Sequence, residues 1–142
     1  MKRRLKVYFV HSSKLDYKNL IYRLVITSPV CINHELMLPY TKEYQTKYVK
    51  ELMAEADIII AEVSNPNLGL IYELKLLSKI NKPIKYLSLT NEIPDNVKKY
   101  VLEIEYITED KSYIQIIENF IKQYSDISKE EYEDPTIILG EL

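Results

Sequence analysis

The chain has 142 residues, 46% of them hydrophobic and 28% charged, enough for one well-buried core and for a single domain. Its net charge of −2 is spread over interspersed Lys, Arg, Asp and Glu, which argues against a nucleic-acid polymer as partner and against a polybasic membrane patch. One cysteine, Cys31, cannot form an internal disulfide, and with only His11 and His34 beside it a structural zinc site is not expected.

In chain order, Leu5 to His11 reads as a first strand, and Ser12-Ser13-Lys14-Leu15-Asp16 as the loop after it. Asp16 to Val25 sets Leu20, Ile21 and Leu24 on one side of a helix, which Ser28-Pro29 ends. His34 to Pro39 is a short second strand. From Glu43 to Ala56, Tyr44, Tyr48, Leu52 and Ala56 recur four apart, the pattern of a helix with a narrow apolar stripe.

The third strand begins at Asp57 and is apolar on both faces, as a central parallel strand is. It stops at the Ser64-Asn65-Pro66-Asn67 turn cluster. Leu70, Ile71, Leu74, Leu77 and Ile80 then recur at helical spacing, with Glu73 in the first turns and Asn67 suited to cap them. Gly69 is one of two glycines, so a positive φ or a close backbone approach is expected there. Asn81-Lys82-Pro83 breaks the chain before a fourth strand, Ile84 to Leu89. Pro94 to Val101 reads as a short helix with Pro94 in its first turn, and Glu103 to Thr108 as a fifth, edge-like strand. Lys111 to Tyr124 is an amphipathic helix through Ile114, Ile117, Phe120 and Ile121. The domain is expected over 1–124, followed by an acidic tail, 125–142, in which Thr136 to Leu139 is the one apolar run.

Strands alternating with helices give an α/β fold with a five-stranded parallel sheet, and the order 2-1-3-4-5 follows. In that order the switch point lies between the first and third strands. The Ser12-Ser13-Lys14 loop and the Ser64 to Glu73 segment should therefore face one crevice at the carboxyl edge of the sheet, with Tyr8 beside them. A carboxylate, a lysine and several hydroxyls meet there. Glu62, on the strand itself, reads as a structural hydrogen-bonding residue.

Val7-Tyr8-Phe9 and the block from Ala56 through Ser64, Pro66, Leu68-Gly69 and Tyr72-Glu73-Leu74 resemble the nucleoside 2-deoxyribosyltransferase-like proteins, which include nucleoside 5′-monophosphate N-glycosidases. The resemblance implies a flavodoxin-like three-layer sandwich over about residues 5 to 124, usually a homodimer whose neighbouring subunit closes the pocket. It implies Glu73 as nucleophile on the anomeric carbon, Tyr8 in contact with it, and Ser12 and Lys14 holding a 5′-phosphate. His11, Ser13, Ser64, Asn67 and Gly69 complete the expected substrate-binding set, and neither cofactor nor metal is called for. The family's Gly-Ser-Ile-Arg-Gly loop is His11 to Leu15 here, its Arg is Lys14, the second Gly of its Gly-x-Gly-Tyr-Glu is Ile71, and Val49 stands where it usually has an aspartate.

N-glycosidic cleavage passes through an oxocarbenium-like transition state, which a carboxylate stabilises by charge or traps covalently. With Val49 at the aspartate position, the proton for the departing base would have to come from His11, Tyr8, Glu51 or Glu55. Hydrolysis and transfer are both open, as are ribose and deoxyribose. The other readings are a non-catalytic nucleotide-binding or interaction module on the same fold, and a TIR-like NAD glycohydrolase. His11-Ser12-Ser13-Lys14 is faintly similar to the first loop of TIR domains, but the central block does not look like theirs. No signal peptide or membrane-length apolar run is visible, so a cytoplasmic, reducing setting is expected.

Overall fold

The computed structural model describes residues 3–126. Five strands, β1 (Lys6–Val10), β2 (Glu35–Met37), β3 (Ile58–Glu62), β4 (Ile84–Ser88) and β5 (Ile104–Tyr106), form one all-parallel sheet in the order β2-β1-β3-β4-β5. This is the flavodoxin-like α/β class and the order expected from the sequence. The helices are α1 (Arg23–Ile26, entered through one π-helical turn, Lys18–Tyr22), α2 (Val49–Glu55), α3 (Leu68–Leu77), α4 (Asp95–Lys98) and α5 (Tyr113–Ser125), with a 3-10 turn at Cys31–Asn33. Among the described residues no helix is long and apolar enough to cross a membrane.

Alternation along the strands divides the core in two. Val7, Phe9, Ile58 and Ile60 face the layer of α1 and α5, where they meet Val25, Ile117 and Phe120. Tyr8, Val10, Ile59 and Ala61 face the layer of α2, α3 and α4, against Leu52, Leu70, Leu74 and Val97. All five residues of β3 are buried, including Glu62. A strand clamped between two neighbours and two helical layers has no solvent-facing side, which is why its sequence is apolar on both faces up to Glu62.

Caps fix the helices that frame the crevice. Asn67 Oδ1 accepts from Leu70 N at 2.9 Å and starts α3, a contact typically worth ~1 kcal/mol. Ser112 and Gln115 form a reciprocal capping box at the start of α5. Lys82 Nζ donates to the carbonyls of Met53, Ala54 and Ala56 at 2.6–2.8 Å, closing the end of α2 with a cation.

Three sequence expectations are corrected in detail. The helix expected from Glu43 begins only at Val49: Tyr44 is buried with its hydroxyl on Glu35 (3.1 Å), and Tyr48 is the extended N-cap. The helix expected over Pro94 to Val101 is the four residues of α4, because Pro94 stands outside it as an N-cap at ψ 150°. Gly69 lies in the first turn of α3 with no positive φ, and a Cβ there would meet Asn67 Oδ1 at an ordinary 3.6 Å. The left-handed residue of this turn is Asn65, φ 47°, a conformation that asparagine tolerates better than most residues. The tail, including Thr136 to Leu139, lies outside the described residues.

Candidate active site

The site is built around a contact between β1 and α3. Tyr8 is fully buried in the middle of β1, on the face turned to α3, and its hydroxyl donates to Glu73 Oε1 at 3.0 Å. Glu73 sits in the second turn of α3, whose start is fixed by the Asn67 cap. Burial pushes its carboxyl up to about 7, with the Tyr8 hydrogen bond opposing that shift. Desolvation and the adjacent carboxylate drive the Tyr8 phenol far above its ordinary range, so it remains a donor. A carboxyl poised near neutrality in a partly dry site is suited to acid, base or nucleophilic chemistry.

Aromatic rings surround this pair. Burial raises the Tyr22 and Tyr40 phenols above their ordinary values, and Glu73, within electrostatic reach of both, adds to the shift. His11 stacks on Tyr17 with centroids 4.7 Å apart, while Tyr22 and Tyr40 meet it edge-on at 5.3 and 5.1 Å. Tyr17 and Tyr22, five residues apart, come within 4.9 Å because the chain between them makes the wider π-helical turn, closed by Arg23 N on Lys18 O. Such turns recur at functional sites.

The two loops of the switch point do meet. Asn67 Nδ2 donates to Ser13 Oγ at 2.9 Å, joining the loop after β1 to the start of α3. Lys14, Pro66, Asn67, Leu68, Gly69 and Ile71 line an open cleft of about 580 Å³. Ser12 is buried, and its Oγ accepts from Lys14 N at 3.0 Å in a tight turn.

Ser64 belongs to a different network. Its hydroxyl donates to Glu62 at 3.0 Å and accepts from Leu89 N at 2.8 Å. Glu62 is fully buried and also takes short hydrogen bonds from Ser64 N and the Tyr113 hydroxyl. Burial raises its pKa against these donors, and the group ties β3 to the loop after β4 and to α5. Val49, at the start of α2, packs half-buried on the apolar cluster that contains Tyr8 and Leu74.

Two groupings result: Tyr8 with Glu73 at the contact of β1 and α3, and Ser13, Lys14, Asn67 and Gly69 at the cleft by the start of α3, with His11 in the aromatic cluster beside Tyr22 and Tyr40. The contributors absent from the sequence reading are Tyr17, Tyr22 and Tyr40. With thirteen tyrosines in the chain, only a π-turn placing two of them five apart could have singled them out. A cavity of about 850 Å³ lies elsewhere, near the amino end of β4 between Leu77, Ile84, Lys85 and Val101, and involves none of these residues.

No protein-family model matches the chain, and no curated protein matches it by sequence. Among solved structures it is similar to the Clostridium botulinum CMP N-glycosidase BcmB, with 21% identity over 81% of this chain and 98% of that one, TM-score 0.57. It is also similar to a part of the Francisella novicida lysine decarboxylase LdcF, with 17% identity over 85% of this chain and 17% of that one, TM-score 0.50. The first shares the fold of this chain, and the second shows how widely the same sheet architecture occurs.

Proposed function

We propose that this protein cleaves the N-glycosidic bond of a nucleoside or nucleoside 5′-monophosphate, with Glu73 as the nucleophile. The observation that carries the proposal is the Tyr8 to Glu73 hydrogen bond at the crevice of a fold shared with a CMP N-glycosidase. Tyr8 holds Oε1, which leaves Oε2 to bond to the anomeric carbon. As that bond forms, the C1′–N bond breaks, its electrons leave with the base, and the base takes up a proton. A glycosyl ester on Glu73 results. Water then attacks the anomeric carbon as the C1′–O bond to Glu73 breaks, giving up one proton to solvent, which releases the sugar, restores the carboxylate and balances the proton taken up by the base.

Lys14 supplies a cation for a 5′-phosphate, with Ser13, Asn67 and the start of α3 beside it. Homodimer formation is part of the same reading. Tyr48 (76% exposed), Leu68 (86%) and Tyr72 (52%) put apolar surface on α3 and at the start of α2, where a second copy would close the cleft.

The test is release of free base from a panel of nucleosides and nucleoside monophosphates, CMP included, by the wild type and by Glu73→Gln. Release by the wild type and none by the variant is expected. Equal activity of the two overturns the role of Glu73, and ligand binding without base release by the wild type makes the protein a nucleotide-binding module instead.

A further inference from the structure

His11 is 2% exposed, too enclosed to meet a ligand face to face, yet it directly follows β1, the strand that carries Tyr8. Its hydrogen bonds have a fixed direction. The Ser12 carbonyl, 3.1 Å from Nδ1, can only accept, so Nδ1 carries the hydrogen. Burial depresses the imidazole pKa and keeps the ring neutral, which leaves Nε2 as a bare acceptor. The Tyr22 hydroxyl, 2.7 Å away, therefore donates to Nε2. With its one hydrogen committed, the Tyr22 oxygen accepts from Tyr40 N at 3.2 Å. The backbone of Tyr40 is held through Tyr22 by His11, and its ring packs against Tyr17 at 5.0 Å and edge-on to His11 at 5.1 Å.

We propose that His11 is a positioning residue for ligand binding: acting through Tyr22 it fixes Tyr40, whose 45%-exposed ring, packed on His11 and Tyr17, receives a planar nucleobase. The proposal rests on the nucleotide reading above and deepens it, because it assigns recognition of the base, as distinct from the sugar or the phosphate, to an aromatic wall. A ring held by its own backbone and by two neighbouring rings loses little freedom when a base stacks on it, so the ordering cost is met before the ligand arrives. A loose Tyr40 would meet that cost on binding.

The experiment uses Glu73→Gln protein, so that CMP stays intact, and measures calorimetric Kd for CMP and for ribose 5-phosphate. Tyr40→Ala should weaken CMP by about tenfold or more, in the range that stacking one base on one aromatic side chain is worth, and leave ribose 5-phosphate unchanged. Tyr22→Phe keeps the ring and removes only the anchor; it should weaken CMP several-fold with the same selectivity. His11→Leu should match it, whereas His11→Gln, whose amide oxygen can accept from Tyr22, should restore most of the affinity. Nitrogen-15 shifts should show His11 protonated at Nδ1 and bare at Nε2 in the ligand-free protein, which tests the hydrogen-bond direction independently of ligand. The Nε2–H tautomer, an unchanged CMP Kd in Tyr22→Phe, or equal weakening of CMP and ribose 5-phosphate each overturns the proposal. Should the Glu73→Gln protein bind no nucleoside monophosphate at all, the proposal falls together with the nucleotide reading; should it bind CMP and Tyr22→Phe bind it equally well, this proposal alone falls.

Discussion

Tyr8 and Glu73 lie 65 residues apart in sequence and 3.0 Å apart in space, a hydrogen bond from the middle of the first strand to the second turn of the third helix. It does two opposed things. Tyr8 helps bury the carboxyl, which disfavours its charge, and donates to it, which favours the charge. The balance leaves Glu73 near 7.

A nucleophilic Glu73 must be ionised, so base release should rise with pH and level off above about 7. Tyr8→Phe removes the one donor that favours the carboxylate, so the inflection should move to higher pH. The measurement is kcat/KM against pH for both proteins on a nucleoside, which has no phosphate to titrate in that range. A rate that falls through pH 7 would instead make Glu73 a general acid.

The same shift has a consequence for stability. A carboxyl with a folded-state pKa above its unfolded value binds protons more tightly when folded, so its contribution is complete below about 4.5 and is lost as pH rises through about 7. Glu73→Gln carries no charge to desolvate. It should therefore unfold at the same temperature as the wild type at pH 4 and at a higher one at pH 8, by the equivalent of about 1–3 kcal/mol, the upper figure being the full shift at 1.36 kcal/mol per pH unit. Scanning calorimetry at the two pH values measures the difference, and a variant less stable at pH 8 would contradict it.

Glu62 should behave in the opposite sense on substitution. Its two oxygens accept from Ser64 N, the Ser64 hydroxyl and the Tyr113 hydroxyl, and it is fully buried. In Glu62→Gln one acceptor becomes an NH₂ facing donors, and leaving buried donors unsatisfied costs about 1–3 kcal/mol each. Urea denaturation should show a loss of at least that size. A neutral result would mean that the hydroxyls turn to other acceptors.

Much of this architecture could be read from the chain because its signals are local. The β3 run, the Asn67 cap and the α5 stripe each announce an element within a dozen residues, and strand–helix alternation then fixes the sheet order. The nearness of Tyr8 to Glu73 follows from that order, because β1 and β3 are neighbours and α3 leaves the end of β3. The tyrosine wall does not follow from it. Tyr17, Tyr22 and Tyr40 converge through a π-turn and a turn after β2, and neither has a periodicity to detect. The apolar spacing of Tyr44 and Tyr48 misled for a related reason: Tyr44 is buried from a non-helical turn, its hydroxyl drawn to Glu35.

Lys14 offers a separable test of phosphate recognition. It is exposed on the open cleft beside Asn67 and Gly69, so its substitution should leave the fold intact. Lys14→Gln should weaken nucleoside monophosphates by about tenfold, as a charge-assisted contact of ~1.5 kcal/mol is lost, and leave nucleosides unchanged. Lys14→Arg should bind monophosphates at least as well as the wild type, since a guanidinium pairs two phosphate oxygens at once. Equal losses for nucleosides and monophosphates would mean that this loop does not read phosphate.

Val49 gives the last prediction. It opens α2 behind the extended N-cap Tyr48, half-buried against the cluster that holds Tyr8 and Leu74. A carboxylate in a first helical turn is favoured by the helix dipole, so Val49→Asp should fold, at some cost in packing. If α2 occupies the place of the helix that carries an aspartate in the resembling family, the wild type should turn over slowly. Val49→Asp should then raise base release by ~10²-fold, the low end of what a positioned acid–base group contributes, with ligand Kd unchanged. Base release and CMP affinity are measured on the same two proteins. A folded Val49→Asp protein with the wild-type rate would show that a carboxylate at this position does not reach the departing base, and that α2 does not take the place of the family's aspartate-bearing helix.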